Sequence, residues 1–230
     1  MPDSASLSPV LLDGAAARAL VEATYPKPSA VVIAKDIGHI DAHLKRFIET
    51  APFYCMATAD AEGNQDVTPR GDPPGTFKVL GPKTLALPDR PGNNRLDALR
   101  NLVENPHIGL LFMIPGVEET VRINGTARLS VDPELLTSMA VEGNLPRSAI
   151  VVEVSEAFLH CAKAFKRAKL WDPTAQVPRA SLPSLGTMLA DHVKMTPEQK
   201  QHADERIELS YRTLWGAMKP DTTKLTPTKP

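Results

Sequence analysis

The chain has 230 residues, enough for one substantial domain with terminal extensions. Its 26 Lys and Arg residues against 27 Asp and Glu residues give a formal net charge of −1, so no global attraction to nucleic acid or to an anionic membrane is expected. The N-terminus does not have the pattern of a signal peptide, and the longest apolar runs are too short to span a bilayer. We therefore expect a cytoplasmic protein that binds no nucleic acid and no membrane.

The two cysteines, Cys55 and Cys161, lie far apart in the sequence and neither belongs to a CxxC pair. A disulfide framework and a zinc site are therefore not expected. Of the six histidines, His39 and His43 alone have helical ligand spacing, and no third ligand lies near them in the sequence. We expect no metal site.

Periodicity and turn residues predict several short strands interrupted by a few helices. Predicted helices cover residues 14–24, 37–50, 95–104, 133–140 and 197–215. Predicted strands cover residues 53–58, 65–70, 84–87, 108–114, 121–130 and 149–154. The alternation over residues 121–130 is the strongest strand signal, and the continuous apolar run 108–114 indicates a strand buried on both faces. The 22 prolines favour short strands joined by rigid turns.

This pattern predicts an α+β, mainly β fold, a barrel with peripheral helices, rather than a doubly wound sheet. We expect three regions along the chain: an N-terminal arm over residues 1–36, a barrel domain over residues 37–171, and a C-terminal helical extension over residues 172–230.

Two cationic segments combine turn residues with hydrogen-bond donors. The segment at 66–75, DVTPRGDPPG, offers Thr68 and Arg70 after a strand. The segment at 88–95, PDRPGNNR, brings two arginines and two asparagines to the predicted start of a helix, where unpaired backbone N–H groups favour phosphate.

The arginines of the second segment have two interpretations. Arg90 and Arg95 could pair with Asp89 and Asp97 on a solvated surface, as many arginines do. Alternatively, their forked donors could match the oxygens of a phosphate. Neither a GxGxxG nor a Walker motif is present, which disfavours a Rossmann dinucleotide site and an NTPase.

A third segment, HCAKAFKRAKLW at 160–171, is basic and amphipathic. Its commoner interpretation is a helix that faces solvent. Alternatively, Lys163 and Arg167 with Trp171 could form a cationic and aromatic lid over a planar ligand.

The order of these segments resembles the FMN-binding split-barrel superfamily of pyridoxamine 5′-phosphate oxidase, from about residue 37 to residue 171. DVTPRGD, PDRPGNNR and HCAKAFKRAKLW resemble hallmark strings of one branch of that superfamily. The resemblance implies a split β-barrel and a homodimer with two FMN molecules in clefts between the subunits.

The resemblance also implies roles for individual residues. Arg90, Asn94 and Arg95 would hold the FMN phosphate, and Thr68 and Arg70 would line the ribityl and ring side. Lys163, Arg167 and Trp171 would approach from the closing segment, from the same chain or from its partner. The expected cofactor-binding residues are Thr68, Arg70, Asp89, Arg90, Asn94, Arg95, Lys163, Arg167 and Trp171.

Three functions fit this sequence. The first is an FMN-dependent oxidoreductase that exchanges electrons or hydride with a small molecule, with NADH or NADPH as a candidate donor. The second is a non-catalytic binder of flavin or haem. The third is oxidation of pyridoxamine phosphate, for which the tail LTPTKP lacks the arginine-containing substrate motif of that oxidase. No catalytic side chain is assigned.

Overall fold

The computed structural model describes residues 10–212 and 214–215. By its internal contacts the chain divides between Asp36 and Ile37 into two units. The first unit contains α1 (Gly14–Thr24) and α2 (Ala30–Ala34), neither of which has a buried residue. The prediction of α1 is confirmed, whereas α2 was not predicted. Residues 1–9 of the expected arm, and the tail LTPTKP at the other end, lie outside the described residues.

The second unit is built on seven strands. They are β1 (Phe53–Ala59), β2 (Gln65–Gly71), β3 (Lys78–Gly81), β4 (Thr84–Asp89), β5 (His107–Ile114), β6 (Val117–Ser130) and β7 (Ser148–His160). Its helices are α3 (Ala42–Thr50), α4 (Asp97–Glu104), α5 (Pro133–Ser138), α6 (Lys163–Ala168), α7 (Leu185–His192) and α8 (Pro197–Tyr211), with two short 3₁₀ turns at Pro173–Ala175 and Arg179–Ser181. No helix of the described part of the chain is long and apolar enough to cross a bilayer.

The strands form one antiparallel sheet in the order β2-β1-β5-β6-β7-β4-β3. The sheet curls around the larger of two hydrophobic clusters without closing, so that β2 and β3 are left as edges. Tyr54 of β1 and Phe77, just before β3, come from opposite ends of this order, yet their ring centroids are 5.0 Å apart. The predicted split barrel, mainly β with peripheral helices, is confirmed.

Alternation along the strands decides which side chains enter the core. In β6, Val121 and Ile123 are fully buried, as predicted. The prediction that β5 is buried on both faces is wrong. Ile108, Leu110 and Phe112 are buried, whereas Leu111, which points to the other face, is only half-buried. The alternate side chains of β5 lie on the outer surface of the curled sheet, where the described helices leave them partly exposed.

The helix predicted from residue 37 begins only at Ala42. Asp41 is its N-cap and accepts a hydrogen bond from the Leu44 N–H at 2.8 Å. The N–H of Ile40 donates instead to the carbonyl of Pro82 at 2.7 Å, which ties this stretch to the loop before β4. Tertiary backbone pairing therefore removes the first part of the predicted helix.

Two corrections affect the cationic segment. Strand β4 continues through Pro88 to Asp89, two residues beyond its predicted end, and pairs with β7 there. The following helix begins at Asp97 rather than at residue 95, because Leu96 before it has a left-handed φ of 62°. The Asn93 side chain accepts from the Arg95 N–H at 3.0 Å, so it caps a turn that precedes the helix rather than the helix itself.

The C-terminal elements differ from prediction in their lengths. Strand β7 reaches His160, six residues beyond the predicted end, and pairs along its length with β6. Helix α8 starts as predicted, with a capping box formed by Thr196 and Gln199, but ends at Tyr211. Residues 214 and 215 lie beyond its end, so Trp215 is not a helical residue.

Candidate functional site

A cavity of about 700 Å³ opens where the ends of β2 and β4 approach each other. Its walls are most of β2 with Asp72 after it, the end of β4, the loop between β4 and α4, and the first turn of α4. Three further lining residues come from elsewhere in the chain: Arg147, Leu214 and Trp215. Six of the nine predicted cofactor-binding residues line it: Thr68, Arg70, Asp89, Arg90, Asn94 and Arg95. Its volume is within the range of cofactor sites.

Strand register places the β2 side chains at this cavity. Thr68 lies opposite Met56 and Arg70 lies opposite Tyr54, and both partners on β1 are fully buried. Because directly opposite residues of an antiparallel pair share a face, Thr68 and Arg70 extend on the core side of the edge strand. They therefore face the interior of the open side of the barrel.

Arg70 and Asp89 form an ion pair across this open side. Nη1 of Arg70 is 2.8 Å from Oδ1 of Asp89, and both side chains are largely shielded from solvent. The two residues lie on β2 and β4, which are not neighbours in the sheet. The Nε of Arg70 is buried and has no hydrogen-bond partner among the described residues.

Arg90 is held by a second ion pair. Its Nε and Nη2 donate to Oδ1 of Asp72 at 3.0 and 2.8 Å, and the two side chains are only 9% and 3% exposed. Nη2 also donates to the carbonyl of Met139, and Nη1 to that of Asn144. Four of the five guanidinium N–H groups are thus occupied within the chain, so this geometry favours a role for Arg90 in the wall of the cavity. Its predicted contact with a phosphate stays a prediction.

The loop residues at the mouth of the cavity are more accessible. Arg95 is 74% exposed and its Nε donates to Asp97 at 2.7 Å, the local pairing that the sequence left open as an alternative. This hydrogen bond and the charge of Asp97 raise the pKa of Arg95. Asn94 has a left-handed φ of 58°, and its Oδ1 lies 3.4 Å from Nη1 of Arg147. The loop therefore presents amide and guanidinium donors at the cavity.

Several lining residues were not identified from the sequence, among them Arg147 and Trp215. Arg147 comes from the loop before β7, and Trp215 follows α8, with its ring 5.4 Å from the guanidinium carbon of Arg90. Pairing of β7 with β4 is the signal that could have placed Arg147, since Ser148 lies opposite Asp89. That pairing joins strands far apart in the sequence and is not readable from local periodicity.

Tyr54 is fully buried near the charges of both ion pairs. Burial raises the pKa of its hydroxyl, against the opposing influence of the Arg70 charge, so the side chain stays protonated. The hydroxyl has no hydrogen-bond partner among the described residues. The Tyr54 hydroxyl is thus a buried donor close to the charges of the ion pairs, although Tyr54 does not itself line the cavity.

The closing segment contacts a different part of the barrel. Nε1 of Trp171 donates to the carbonyl of Val117 at 2.9 Å, and Lys166 pairs with Glu118, so the segment packs on the β5–β6 hairpin. Lys163 and Arg167 are exposed. These two residues and Trp171 do not line the cavity of their own chain among its described residues.

The cavity also limits which ligands it could take. Among the described residues that line it there is no histidine, cysteine, methionine or tyrosine, the side chains that serve as axial ligands of haem. No group of three or more potential metal-ligating side chains occurs in the described part of the chain. The lining instead contains four arginines, four aspartates and two asparagines, a set that suits a polar, hydrogen-bonding ligand.

The strands and most of the cavity lining lie in the part of the chain that matches a known family. Residues 40–161, just over half of the chain, match the family described as pyridoxamine 5′-phosphate oxidase. The chain belongs to this family. The match includes every strand of the sheet and six of the nine predicted site residues, and it confirms the resemblance inferred from the sequence motifs.

Solved structures similar to this family member are distant from it. They include HupZ of Group A Streptococcus, at 18% identity and a TM-score of 0.43 over 52% of this chain and 93% of that one. An FMN-binding protein from Syntrophomonas wolfei has 10% identity and a TM-score of 0.40 over 51% and 84%. HutZ, the heme storage protein from Vibrio cholerae, has 13% identity and a TM-score of 0.34 over 53% and 93%. No curated protein matches the chain. These scores are too low to transfer a ligand.

Proposed function

We propose that this chain binds FMN in the cavity between β2 and β4 and acts as a flavin-dependent oxidoreductase. The observation that carries the proposal is the cavity's donor set in a member of the pyridoxamine 5′-phosphate oxidase family. Buried Nε atoms of two lining arginines, Arg70 and Arg147, lack a partner among the described residues. An anionic ligand would satisfy such donors, which are costly to leave unpaired.

The residues present fit a phosphate-bearing cofactor. Asn94 and Arg95, with the backbone of their loop, would hold the phosphate at the mouth of the cavity. Thr68 and Arg70 would lie beside the ribityl chain and the ring. When bound, the flavin supplies the hydride or electron transfer, and the protein positions it and sets its electrostatic surroundings.

The two buried ion pairs prepare the cavity for its ligand. Arg70–Asp89 and Arg90–Asp72 each connect the β2 side of the opening to the β4 side. They fix the distance between the two walls and hold charges in place before a ligand arrives. Fixed charges of this kind act without reorganisation when the ligand binds or reacts.

We further propose that the chain is a homodimer whose closing segments complete the site. Lys163, Arg167 and Trp171 lie away from the cavity of their own chain, which supports a role at the cavity of a partner. Sedimentation equilibrium would give about 50 kDa for a dimer of the 24.9 kDa chain. A monomer at micromolar concentration would contradict this part of the proposal.

The experiment that tests the activity is anaerobic mixing of the FMN-loaded protein with NADH or NADPH while the flavin absorbance is followed. Bleaching of the flavin band by either donor supports a nicotinamide-driven oxidoreductase. Loaded protein that is bleached by neither donor supports a non-catalytic flavin binder. Pyridoxal phosphate formed from pyridoxamine phosphate with oxygen uptake would assign the oxidase reaction instead.

A further inference from the structure

Four arginines line the cavity, and three of them are neutralised by aspartates. The three ion pairs are Arg70–Asp89, Arg90–Asp72 and Arg95–Asp97. The fourth arginine, Arg147, has no carboxylate partner among the described residues. The remaining aspartate of the lining, Asp66, accepts a hydrogen bond from the Asn101 amide at 2.9 Å instead. Arg147 is therefore the lining arginine that has no ion-pair partner among the described residues.

The position of Arg147 is fixed by the sheet. Its backbone N–H donates to the carbonyl of Asp89 at 3.2 Å, and the next residue, Ser148, is paired with Asp89 in the β4–β7 ladder. The side chain is half-buried rather than free in solvent. The sheet therefore holds the backbone of Arg147 in place beside the cavity, which limits where its side chain can reach.

The guanidinium of Arg147 has one unpaired donor that is shielded from water. Its Nε is buried and has no partner among the described residues. Its Nη1 makes one long contact, 3.4 Å to Oδ1 of Asn94. A desolvated guanidinium with unpaired N–H groups costs free energy, and a phosphate with oxygens in bidentate geometry removes that cost.

We propose that Arg147 binds the phosphate of the flavin, together with Asn94, and makes the cavity selective for FMN over riboflavin. This inference rests on the proposed function of the cavity. Arg90, by contrast, keeps its role in the wall, because Asp72 and two carbonyls already occupy four of its five N–H groups. The selectivity arises because FMN and riboflavin share the ring and ribityl chain and differ in the phosphate.

The test is titration of the purified, cofactor-stripped protein with FMN and with riboflavin, followed by flavin fluorescence. Arg147→Gln is expected to weaken FMN binding about 10- to 100-fold, as for loss of a charge-assisted hydrogen bond, and to change riboflavin binding less than about twofold. Arg147→Lys keeps the charge but not the fork and should fall between wild type and Arg147→Gln. Arg128→Gln, an exposed arginine outside the cavity, is the matched control and should leave both affinities unchanged.

The ratio of the two affinities separates a ligand contact from a structural effect. Equal losses for FMN and riboflavin in Arg147→Gln, or no loss for either, would overturn the proposal. Misfolding of the variant would reduce the number of sites rather than change the ratio, so the measurement remains decisive for a partly folded sample.

A second measurement does not depend on flavin. Inorganic phosphate is expected to raise the Tm of the wild-type protein relative to chloride at equal ionic strength, and this shift should be lost in Arg147→Gln. If wild type binds no flavin but shows an Arg147-dependent phosphate shift, the FMN proposal fails while the anion-binding role of Arg147 stands. A phosphate shift of equal size in both proteins, or none in wild type together with no FMN binding, would overturn the role of Arg147.

Discussion

Asp72 and Arg90 join the two sides of the opening in the barrel through a buried ion pair in which Nε and Nη2 both donate to the carboxylate. Asp72 follows edge strand β2 and Arg90 follows β4, next to the opposite edge of the sheet. The sheet does not close by backbone hydrogen bonds. Instead, this ion pair and the neighbouring pair Arg70–Asp89 join the two sides of the opening through side chains.

The first prediction concerns the stability that depends on this closure. Arg90→Met removes the cation and leaves the buried carboxylate of Asp72 without its partner, so the free energy of unfolding should fall by about 3–5 kcal/mol. Arg95→Met removes an exposed arginine from the same loop and should leave the urea unfolding midpoint unchanged. A loss below about 1 kcal/mol in Arg90→Met, within the usual range of surface substitutions, would show that the pair does not close the barrel.

The second prediction concerns the pH dependence of the same variant. Burial raises the pKa of Asp72, and the hydrogen bond and charge of Arg90 lower it in part. Removing Arg90 should therefore raise this pKa further. A group with a raised pKa stabilises the fold most below its unfolded pKa, and this contribution is lost as the pH rises through its folded pKa.

The destabilisation by Arg90→Met should consequently be smaller at acid pH, where Asp72 is protonated, than at pH 7. The measurement is urea unfolding of wild type and Arg90→Met in parallel from about pH 4 to pH 7. The difference between their free energies of unfolding isolates Asp72, because the other carboxyl groups contribute equally to both proteins. A difference that stays constant or grows as the pH falls would contradict the assigned direction. In Asp72→Asn/Arg90→Met, which has no titrating group at this position, the dependence should disappear.

The third prediction concerns the bulge where β6 meets β7. The register shifts at Asn124/Gly125, and a Cβ on Gly125 would lie 2.0 Å from the carbonyl oxygen of Glu153. Gly125→Ala should destabilise the protein by about 1–3 kcal/mol or more, since the obstacle is backbone that cannot rotate away. Gly81→Ala, where no atom lies within 4 Å of the added Cβ, is the matched control for thermal unfolding. Equal Tm values for the two variants would show that the bulge tolerates a side chain.

The fourth prediction concerns the aromatic residue at the edge of the cavity. Trp215 lines the cavity and lies over the guanidinium of Arg90. Trp215→Ala should speed FMN dissociation several-fold in a stopped-flow chase, because loss of the indole opens the cavity and removes a cation–π contact of about 0.5–2 kcal/mol. Tyr211→Ala removes an aromatic residue of the same segment that does not line the cavity and should leave the dissociation rate unchanged. Equal rates for the two variants would count against a covering role for Trp215.

The local parts of the fold could be predicted from the sequence, and the non-local parts could not. Alternation over residues 121–130 identified β6, and Asp132 before Pro133 identified the start of α5, where the carboxylate accepts from the Leu135 N–H. By contrast, β4 was predicted to end before Pro88, because proline lacks a backbone donor; its pairing with β7 extends it to Asp89.

The candidate site divides in the same way. Six predicted residues from the segments 66–75 and 88–95 line one cavity. They could be predicted because the turn residues and donors of each segment are neighbours in the sequence. Which arginine is already paired depends on partners 18 residues or more away, such as Asp72 for Arg90 and Asp89 for Arg70. Arg147 remained unidentified for this reason, since its position depends on a strand pairing that sequence periodicity does not reveal. The roles predicted for Lys163, Arg167 and Trp171 stay predictions that depend on a partner subunit.

The most direct test of the account is the absorbance spectrum of the purified wild-type protein, before and after addition of one equivalent of FMN and removal of free ligand. Wild type should show flavin bands that stay with the protein at one FMN per chain, and these bands should be reduced in Arg147→Gln but retained in Arg128→Gln. A wild-type protein that retains no FMN, or one that shows a Soret band in place of flavin bands, would contradict the assignment of the cavity as a flavin site.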